Sequence, residues 1–184
     1  MNILPSTLVD TATRLAVTAH EGQKRKEGGV PYIMHPVMVA LILAKHDFSD
    51  VVIAAALTHD VPEDTKVTLE ELREALGDEV ADIVASVTND DSLSWKDKKL
   101  KYIESVRAGS EGAKAVATAD KIHNAQSLIR NHERAGTKVW AHFNTGRDEK
   151  IWFEDAMLAM LQETWQHPLV DEYAVLVARM NALD

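Results

Sequence analysis

Four ionisable side chains follow directly on an apolar run near the middle of the sequence. The run covers residues 51–57, and the side chains after it are His59, Asp60, Glu63 and Asp64. Charged groups at the end of a buried segment need a partner, and a metal ion is an economical one. We read His59 and Asp60 as the last turn of a helix. Because the intervening proline clashes with a preceding helical turn, we expect the two later carboxylates to begin a loop that bends back over the site.

Two further residues with metal-binding chemistry lie far away in the sequence. His35 precedes a proline, and Asp120 lies in a long helical pattern. Helical domains build central metal sites from ligands that are scattered over separate helices. With His59 and Asp60, these residues offer two imidazoles and two carboxylates, which suit Mn²⁺, Fe²⁺, Co²⁺ or Zn²⁺ better than Ca²⁺. Such an ion lowers the pKa of a bound water and makes it a usable nucleophile.

Each of these residues also has a purely structural interpretation. The proline after His35 makes this histidine a candidate helix N-cap. Asp120 alone is typical of an ion pair on a helix surface, and Glu63 with Asp64 could cap the loop before Thr68. The spacing therefore leaves both a metal centre and an ordinary set of capping and surface residues open.

The elements that must position these side chains are helices. Apolar residues recur at 3.6-residue intervals along most of the sequence, and β alternation, internal repeats and linkers are absent from it. The pattern predicts one all-α domain over residues 1–184, a bundle of about eight to ten helices. Helix ends are marked by a capping box from Thr68 to Glu71, by Gly77 and Gly136, and by a cap-proline pair at His167.

The composition excludes several functional classes. The absence of cysteine excludes disulfides and thiolate metal sites. A net charge of −9 argues against a DNA- or RNA-binding protein, which needs a dominant basic face. The N-terminal residues lack the features of a signal peptide, and charged residues interrupt every candidate membrane span. We therefore expect a cytoplasmic protein without membrane contact, and the sequence leaves its oligomeric state open.

A phosphate-bearing ligand of this acidic protein must be held by local positive charge or by a metal. Lys24, Arg25 and Lys26 place three cations in consecutive positions of a loop that contains glycine. This loop is either a solvated turn or a ligand loop beside the suspected site. Lys98 and Lys101, in a lysine cluster that most often forms a solvated face, and Arg147 are further candidates for contact with phosphate.

Taken as a set, these residues resemble a known family. The candidate metal ligands follow the H…HD…D signature of the HD superfamily of metal-dependent phosphohydrolases. Several segments are similar to the hydrolase domain of the Rel/Spo alarmone enzymes of the stringent response: residues 19–23, 25–26, 31–33, 35–36, 39–40, 59–65 and 119–124. The similarity runs from about residue 8 to about residue 130. The chain resembles the stand-alone small alarmone hydrolases, a group that includes the metazoan SpoT homologues.

The resemblance implies a metal and a reaction. His35, His59, Asp60 and Asp120 would bind a single Mn²⁺ ion. Glu63 and Asp64 would orient or deprotonate the attacking water, and because neighbouring carboxylates can share a proton, the base is not assigned to one of them. The reaction would remove pyrophosphate from the 3′ position of ppGpp or pppGpp and give GDP or GTP.

The resemblance also implies the substrate contacts. Arg25 would stack on the guanine, since a planar guanidinium stacks on a purine as a lysine cannot. Lys26, with Lys24 beside it, would contact base or phosphate. Asn124, one helical turn after the last metal ligand, would contact the ribose or the base.

Three hypotheses about the substrate and activity remain open on the sequence. Residues 140–150 depart from the long Rel proteins, so adenine alarmones, the 2′-phosphate of NADPH or another nucleoside phosphate are alternatives to guanosine alarmones. A non-catalytic nucleotide-binding HD module is the third hypothesis. The intact pair of Glu63 and Asp64 argues against it, because a binding module has no need of a catalytic base.

Overall fold

The computed structural model of the 184-residue chain describes residues 6–25, 29–143 and 145–184, and of His142 the backbone alone. The regular elements of these residues are helices. The only β feature among them is an isolated antiparallel bridge between Lys24 and Pro31. The prediction of an all-α fold is therefore confirmed. Within the same ranges, none of the helices combines the length and the apolar character needed to cross a membrane.

The helices follow one another with short connections. Their bounds are α1 Thr7–Ala19, α2 Met34–Lys45, α3 Asp50–Thr58, α4 Val61–Asp64, α5 Leu69–Leu76, α6 Asp78–Val87, α7 Trp95–Ala108, α8 Glu111–Ala135, α9 Gly146–Thr164 and α10 Pro168–Asn181, with a 3₁₀ helix at Gly136–His142 between α8 and α9.

The chain forms two compact units, Met1–Ala119 and Asp120–Asp184. The boundary between them falls inside α8, whose helical backbone continues from Ala119 into Asp120. In the first unit, α1, α2 and α6 all pack against α3. Helix α3 is apolar on nearly every side and contributes three consecutive buried alanines, 54–56, which let its neighbours approach closely. The end of α3 is thus held in place from several directions.

The second unit has its own core. Helices α9 and α10 pack against each other, and the 3₁₀ helix packs against α9. Among the described residues of this unit, the buried polar side chains are Asp120, Lys121 and His123 of α8 and Glu154 of α9, and Glu154 is only 1% exposed. Glu154 forms an ion pair with Lys150 and accepts a hydrogen bond of 2.5 Å from the Tyr173 hydroxyl. A buried charge is tolerable here because it has both a countercharge and a donor.

Several predicted helix ends are confirmed. The Thr68 side chain accepts a hydrogen bond from the Glu71 amide while the Glu71 carboxylate accepts one from the Thr68 amide, which completes the capping box. Gly77 and Gly136 have positive φ angles of 88° and 60° at the ends of α5 and α8. His167 caps α10 through a hydrogen bond from the Leu169 amide at 3.2 Å. Local sequence signals therefore specify these boundaries.

Two local predictions about the chemically important residues are wrong. His35 is not the N-cap of α2 but lies inside its first turn, because the amides of Met34 and His35 already bond to the carbonyls of Pro31 and Tyr32. Glu63 and Asp64 do not begin a loop. They lie in α4, a single helical turn in which the proline occupies the first turn, where its missing amide and fixed φ are tolerated.

Candidate metal and catalytic site

Three candidate metal ligands lie close together: His35 of α2, His59 at the end of α3 and Asp120 of α8. One ligand atom each of His35, His59 and Asp120 lies within 4.8 Å of the other two. Both histidines are buried, His35 with 1% of its surface exposed. Two imidazole nitrogens and a carboxylate oxygen at this spacing can surround one divalent cation.

Asp60 contacts both histidines of this group. Its Oδ1 lies 3.2 Å from His59 Nε2, and its Oδ2 lies 3.4 Å from His35 Nε2. The same Oδ2 accepts a hydrogen bond of 2.7 Å from the Tyr32 hydroxyl. The carboxylate therefore faces the two nitrogens that a metal would use, although Asp60 is not a member of the three-residue group described above.

The hydrogen bonds of His59 and Asp120 are those expected of metal ligands. His59 Nδ1 lies 2.7 Å from the carbonyl oxygen of Ala56. A carbonyl only accepts, so Nδ1 carries the proton and Nε2 keeps the lone pair that binds a metal. Asp120 Oδ1 accepts a hydrogen bond of 2.5 Å from the Asn124 amide, and Oδ2 accepts one of 2.9 Å from Lys121 Nζ. The partners thus fix the orientation of both residues, as the outer partners of metal ligands do.

The two remaining carboxylates of the central motif are held from outside the metal group. Glu63 Oε1 accepts hydrogen bonds of 2.6 Å and 3.1 Å from the main-chain and side-chain amides of Asn89. The Asp64 carbonyl accepts a hydrogen bond of 2.7 Å from Gln23 Nε2, and the charge of the Asp64 side chain acts on the Tyr32 hydroxyl. Both carboxylates therefore have defined positions on α4.

Tyr32 is a protonated phenol beside Asp60. Burial raises its pKa far above the usual value, and the nearby charges of Asp60 and Asp64 raise it further. The hydroxyl consequently keeps its proton and donates it to Asp60 throughout the physiological pH range.

The predicted basic loop is tied to the same tyrosine. Arg25 Cζ lies 5.6 Å from the centre of the Tyr32 ring, and the Arg25 amide bonds to the carbonyl of Val30 at 3.0 Å. Lys24 pairs with Pro31 in the isolated bridge. Lys26, the third predicted cation of this loop, lies outside the described residues. The turn thus places Arg25 beside the residue that contacts Asp60.

The two predicted phosphate-binding lysines of α7 have acidic partners. Lys98 Nζ lies 2.5 Å from Asp91, and Lys101 Nζ lies 2.7 Å from Asp90. The hydrogen bond from Lys101, with further bonds from Ser92, holds the pKa of Asp90 well below its usual value. Lys101 and Asp90 also line a cavity of about 370 Å³ between α5, α6 and α7. A phosphate that used these lysines would have to compete with the two aspartates.

The remaining predicted contacts lie in the second unit. The Asn124 amide donates to Asp120, so this residue supports a candidate metal ligand. The Arg147 guanidinium donates to the carbonyl of Leu183 at 2.8 Å and 3.0 Å, and to that of Asn181 at 3.1 Å. Arg147 therefore holds the end of the described chain, and its contact with substrate stays a prediction.

Sequence reasoning did not assign a role to four side chains that support this site. Three of them lie in segments that carry the family resemblance: Gln23, Tyr32 and Lys121. Their place in these segments was the only sequence feature that could have indicated a role at the site. Asn89, which binds Glu63, follows α6 in a polar stretch that reads as an ordinary loop. Its contact spans 26 residues of sequence, so local spacing could not reveal it.

Comparison with known proteins agrees with this geometry. The family described as the HD domain matches residues 12–151. A Danio rerio protein named guanosine-3′,5′-bis(diphosphate) 3′-pyrophosphohydrolase MESH1 is 40% identical over 133 residues, 71% of this chain and 74% of the relative.

Two solved structures extend the similarity. The Listeria monocytogenes protein lmo0812 is 37% identical with a TM-score of 0.74, over 79% of this chain and 97% of that one. A metazoan ortholog of SpoT, described as hydrolysing ppGpp with a role in starvation responses, is 26% identical with a TM-score of 0.83, over 99% of this chain and 100% of that one. Because the family match covers more than half of the sequence and includes every residue of the histidine and aspartate cluster, the chain belongs to the HD domain family.

Proposed function

We propose that this protein is a metal-dependent hydrolase that removes pyrophosphate from the 3′ position of ppGpp and pppGpp, giving GDP and GTP. The observation that carries the proposal is the meeting of His35, His59 and Asp120 in a chain similar to named 3′-pyrophosphohydrolases. The coarser conclusion, that an HD domain with this donor set binds a divalent metal, follows from the family and the cluster. Mn²⁺ as the physiological ion is our specific proposal.

The proposed reaction balances without a further co-substrate. The oxygen of water attacks the phosphorus of the 3′-diphosphate that is attached to the ribose, and the bond from that phosphorus to the ribose 3′-oxygen breaks. Water loses one proton and the 3′-oxygen gains one. The products are pyrophosphate and the nucleoside 5′-diphosphate or 5′-triphosphate.

His35, His59, Asp60 and Asp120 would hold the cation. When bound, it would supply Lewis-acid polarisation of a phosphoryl oxygen and activation of water. The protein's own contribution is orientation. The carbonyl bonded to His59 Nδ1 fixes which nitrogen is available, and Asn124 with Lys121 fixes the Asp120 carboxylate.

Glu63 and Asp64 are the proposed acceptors of the proton from water. Both are carboxylates on one helical turn that directly follows Asp60. Asn89 anchors the Glu63 side chain, and Gln23 anchors the main-chain carbonyl of Asp64. A general base must be held within hydrogen-bond reach of the proton that it takes, so these anchors matter for the rate. Tyr32 donates to Asp60 and is affected by the charge of Asp64, so this tyrosine connects the proposed base to the proposed metal-binding carboxylate.

The substrate is a polyanion with a purine base, and the protein offers both kinds of contact. Arg25 would stack on guanine, and Lys24 and Lys26 would contact base or phosphate. Asn124 would contact the ribose or base through whatever hydrogen-bonding capacity its bond to Asp120 leaves. Lys98, Lys101 and Arg147 are the further proposed phosphate contacts.

The organisation and setting of the enzyme are also proposals. We infer that residues 1–184 act as one HD-type domain, supported by a family match that extends from α1 into α9. We infer a cytoplasmic protein whose partner is a phosphorylated nucleotide. The net charge of −9 argues against DNA or RNA as a partner.

The deciding experiment is product identification with a nucleotide panel. Metal-free protein is supplied with Mn²⁺ and then with ppGpp, pppGpp, an adenine alarmone or NADPH, and the products are separated by ion-exchange chromatography. Pyrophosphate with GDP from ppGpp supports the proposal. Inorganic phosphate from NADPH, or binding of ppGpp without release of pyrophosphate, contradicts it.

Two matched variants test whether Arg25 stacks on the guanine of the substrate. Arg25→Ala should raise KM for ppGpp about tenfold, because a stacking contact of roughly 1–3 kcal/mol is lost. The control is Arg14→Ala, which removes an exposed arginine of α1 that pairs with Asp10. Equal kinetics for the two variants would refute the role of Arg25 while leaving the hydrolase assignment intact.

A further inference from the structure

The main chain of Tyr32 is fixed on both sides. Its amide donates to the carbonyl of Gln23 at 2.9 Å, which closes the turn that carries Arg25. Its carbonyl accepts a hydrogen bond of 2.9 Å from the amide of His35 in the first turn of α2. The tyrosine therefore stands where the basic loop ends and the helix with a metal-ligand candidate begins.

The hydroxyl of Tyr32 donates to one carboxylate and is affected by the charge of a second. It lies 2.7 Å from Oδ2 of Asp60, and the negative charge of Asp64 acts on it as well. One hydroxyl carries one proton, so it can donate to only one of these carboxylates at a time. Without a donor between them, the two negative groups would repel each other and could turn away from the site.

The ring of Tyr32 contacts the loop side. Arg25 Cζ is 5.6 Å from the ring centre, within range of a cation–π contact, and the His20 ring centre is 4.8 Å away. His20 in turn lies 2.8 Å from Gln23 Oε1, and Gln23 Nε2 donates to the Asp64 carbonyl at 2.7 Å. The loop thus holds both ends of α4, through Tyr32 at its N-cap Asp60 and through Gln23 at the main-chain carbonyl of Asp64.

We propose that Tyr32 is a positioning residue that keeps Asp60 directed at the metal-binding nitrogens while its ring holds Arg25 at the substrate side. Only the expected change in kcat for ppGpp rests on the proposed function. The orientation of Asp60 is tested by the affinity for metal, which is measured without substrate. A purely structural tyrosine would contribute to folding stability and leave metal affinity unchanged.

The test compares Tyr32→Phe with Tyr173→Phe in the full chain. Both substitutions remove only a hydroxyl that donates to a carboxylate, but the acceptor of Tyr173 is Glu154, which is not a candidate ligand. Removing an outer partner of a metal ligand typically weakens metal affinity by about tenfold to a hundredfold. We therefore expect Mn²⁺ to bind about tenfold more weakly to Tyr32→Phe, and with wild-type affinity to Tyr173→Phe, by isothermal titration calorimetry of metal-free protein.

Steady-state kinetics at saturating Mn²⁺ give a second readout. Tyr32→Phe keeps the ring beside Arg25, so KM for ppGpp should stay within about twofold while kcat falls about tenfold. Wild-type Mn²⁺ affinity in Tyr32→Phe, or an equal loss in Tyr173→Phe, overturns the proposal. If the chain does not hydrolyse ppGpp, the proposed function fails while the calorimetric comparison still decides the role of Tyr32.

A measurement on the unaltered protein covers the case in which Tyr32→Phe does not fold. The chain has three tyrosines, so carbon-13 labelling at Cζ gives three resonances, which Tyr102→Phe and Tyr173→Phe assign. Adding Zn²⁺, a diamagnetic probe, should shift the Tyr32 resonance because its acceptor Asp60 engages the ion. An unchanged Tyr32 resonance on saturation with Zn²⁺ overturns the proposal.

Discussion

Lys121 is a buried cation. Its removal should lower the stability of the metal-free protein and increase the stabilisation that bound Mn²⁺ provides. Its Nζ lies 2.9 Å from Asp120 Oδ2, and the two side chains keep only 10% and 11% of their accessible surface. Lys121→Met keeps most of the apolar stem and removes the ammonium, whose Nζ lies 5.1 Å from the centre of the Phe153 ring. The carboxylate of Asp120 then loses its countercharge while it stays largely buried.

The expected cost in the metal-free protein follows from this burial. Breaking a buried ion pair by removing one partner costs about 3–5 kcal/mol. The Asn124 amide still donates to Asp120, so we expect the lower end, about 3 kcal/mol. For a chain of this size, that loss lowers Tm by roughly 6–12 °C.

Bound Mn²⁺ should recover part of this loss. A ligand at about 100 times its Kd stabilises the folded state by about 2.7 kcal/mol. In the variant the gain should be larger, since the cation replaces the missing countercharge of Asp120 and no longer meets repulsion from Lys121. Differential scanning calorimetry with and without saturating Mn²⁺ measures both the loss and the recovery.

Lys150→Met is the matched control, because it also removes the cation of a buried pair. Its partner Glu154 is 1% exposed and is not a proposed ligand, so Mn²⁺ should raise the Tm of this variant no more than that of wild type. The reasoning is refuted if Mn²⁺ stabilises Lys121→Met and wild type equally. It is also refuted if the metal-free Tm of Lys121→Met matches that of wild type.

Three further predictions concern contacts outside the metal cluster. Asn89→Ala should lower kcat about tenfold through loss of the bonds to Glu63, with unchanged Mn²⁺ affinity by calorimetry. Arg147→Ala should lower Tm through loss of its bonds to the last carbonyls, and a raised KM with unchanged Tm would favour its substrate role instead. The capping bonds of Thr68 lower the pKa of Glu71, so Glu71→Gln should be less stable than wild type at pH 7. Thermal melts should show the difference fading as the pH falls below the ordinary value of 4.5 and through the lowered pKa of the folded carboxylate.

The helical pattern and several helix ends could be predicted because their causes are local. The capping box at Thr68, the positive-φ glycines Gly77 and Gly136 and the capping histidine of α10 all act within a few residues. A hydrogen bond between residues three or four apart can be inferred from spacing alone. The same principle explains why the all-α fold was evident from the sequence.

The supporting contacts of the site could not be predicted by spacing, because they join segments that are distant in sequence. Tyr32 and Asp60 are 28 residues apart, and Glu63 and Asn89 are 26 apart. Which carboxylate finds which donor depends on how α3, α6 and the loop before α2 pack. Residue type and the family resemblance therefore indicate the candidate metal ligands. They do not indicate which hydrogen-bond donors hold the carboxylates of the site.

The two histidine–proline pairs of this chain show why a local capping signal cannot distinguish a metal ligand from a cap. His167 itself has an extended backbone, with φ −153° and ψ 145°, so the histidine caps α10 and its proline starts the helix. At His35 the turn at Pro31 and Tyr32 already accepts the Met34 and His35 amides, so the helix starts before the histidine. The imidazole then falls on the buried side of the first turn and meets His59 and Asp120 instead of the helix end. The residues before the pair, which the family resemblance includes and the capping rule ignores, determine whether this histidine can serve a metal.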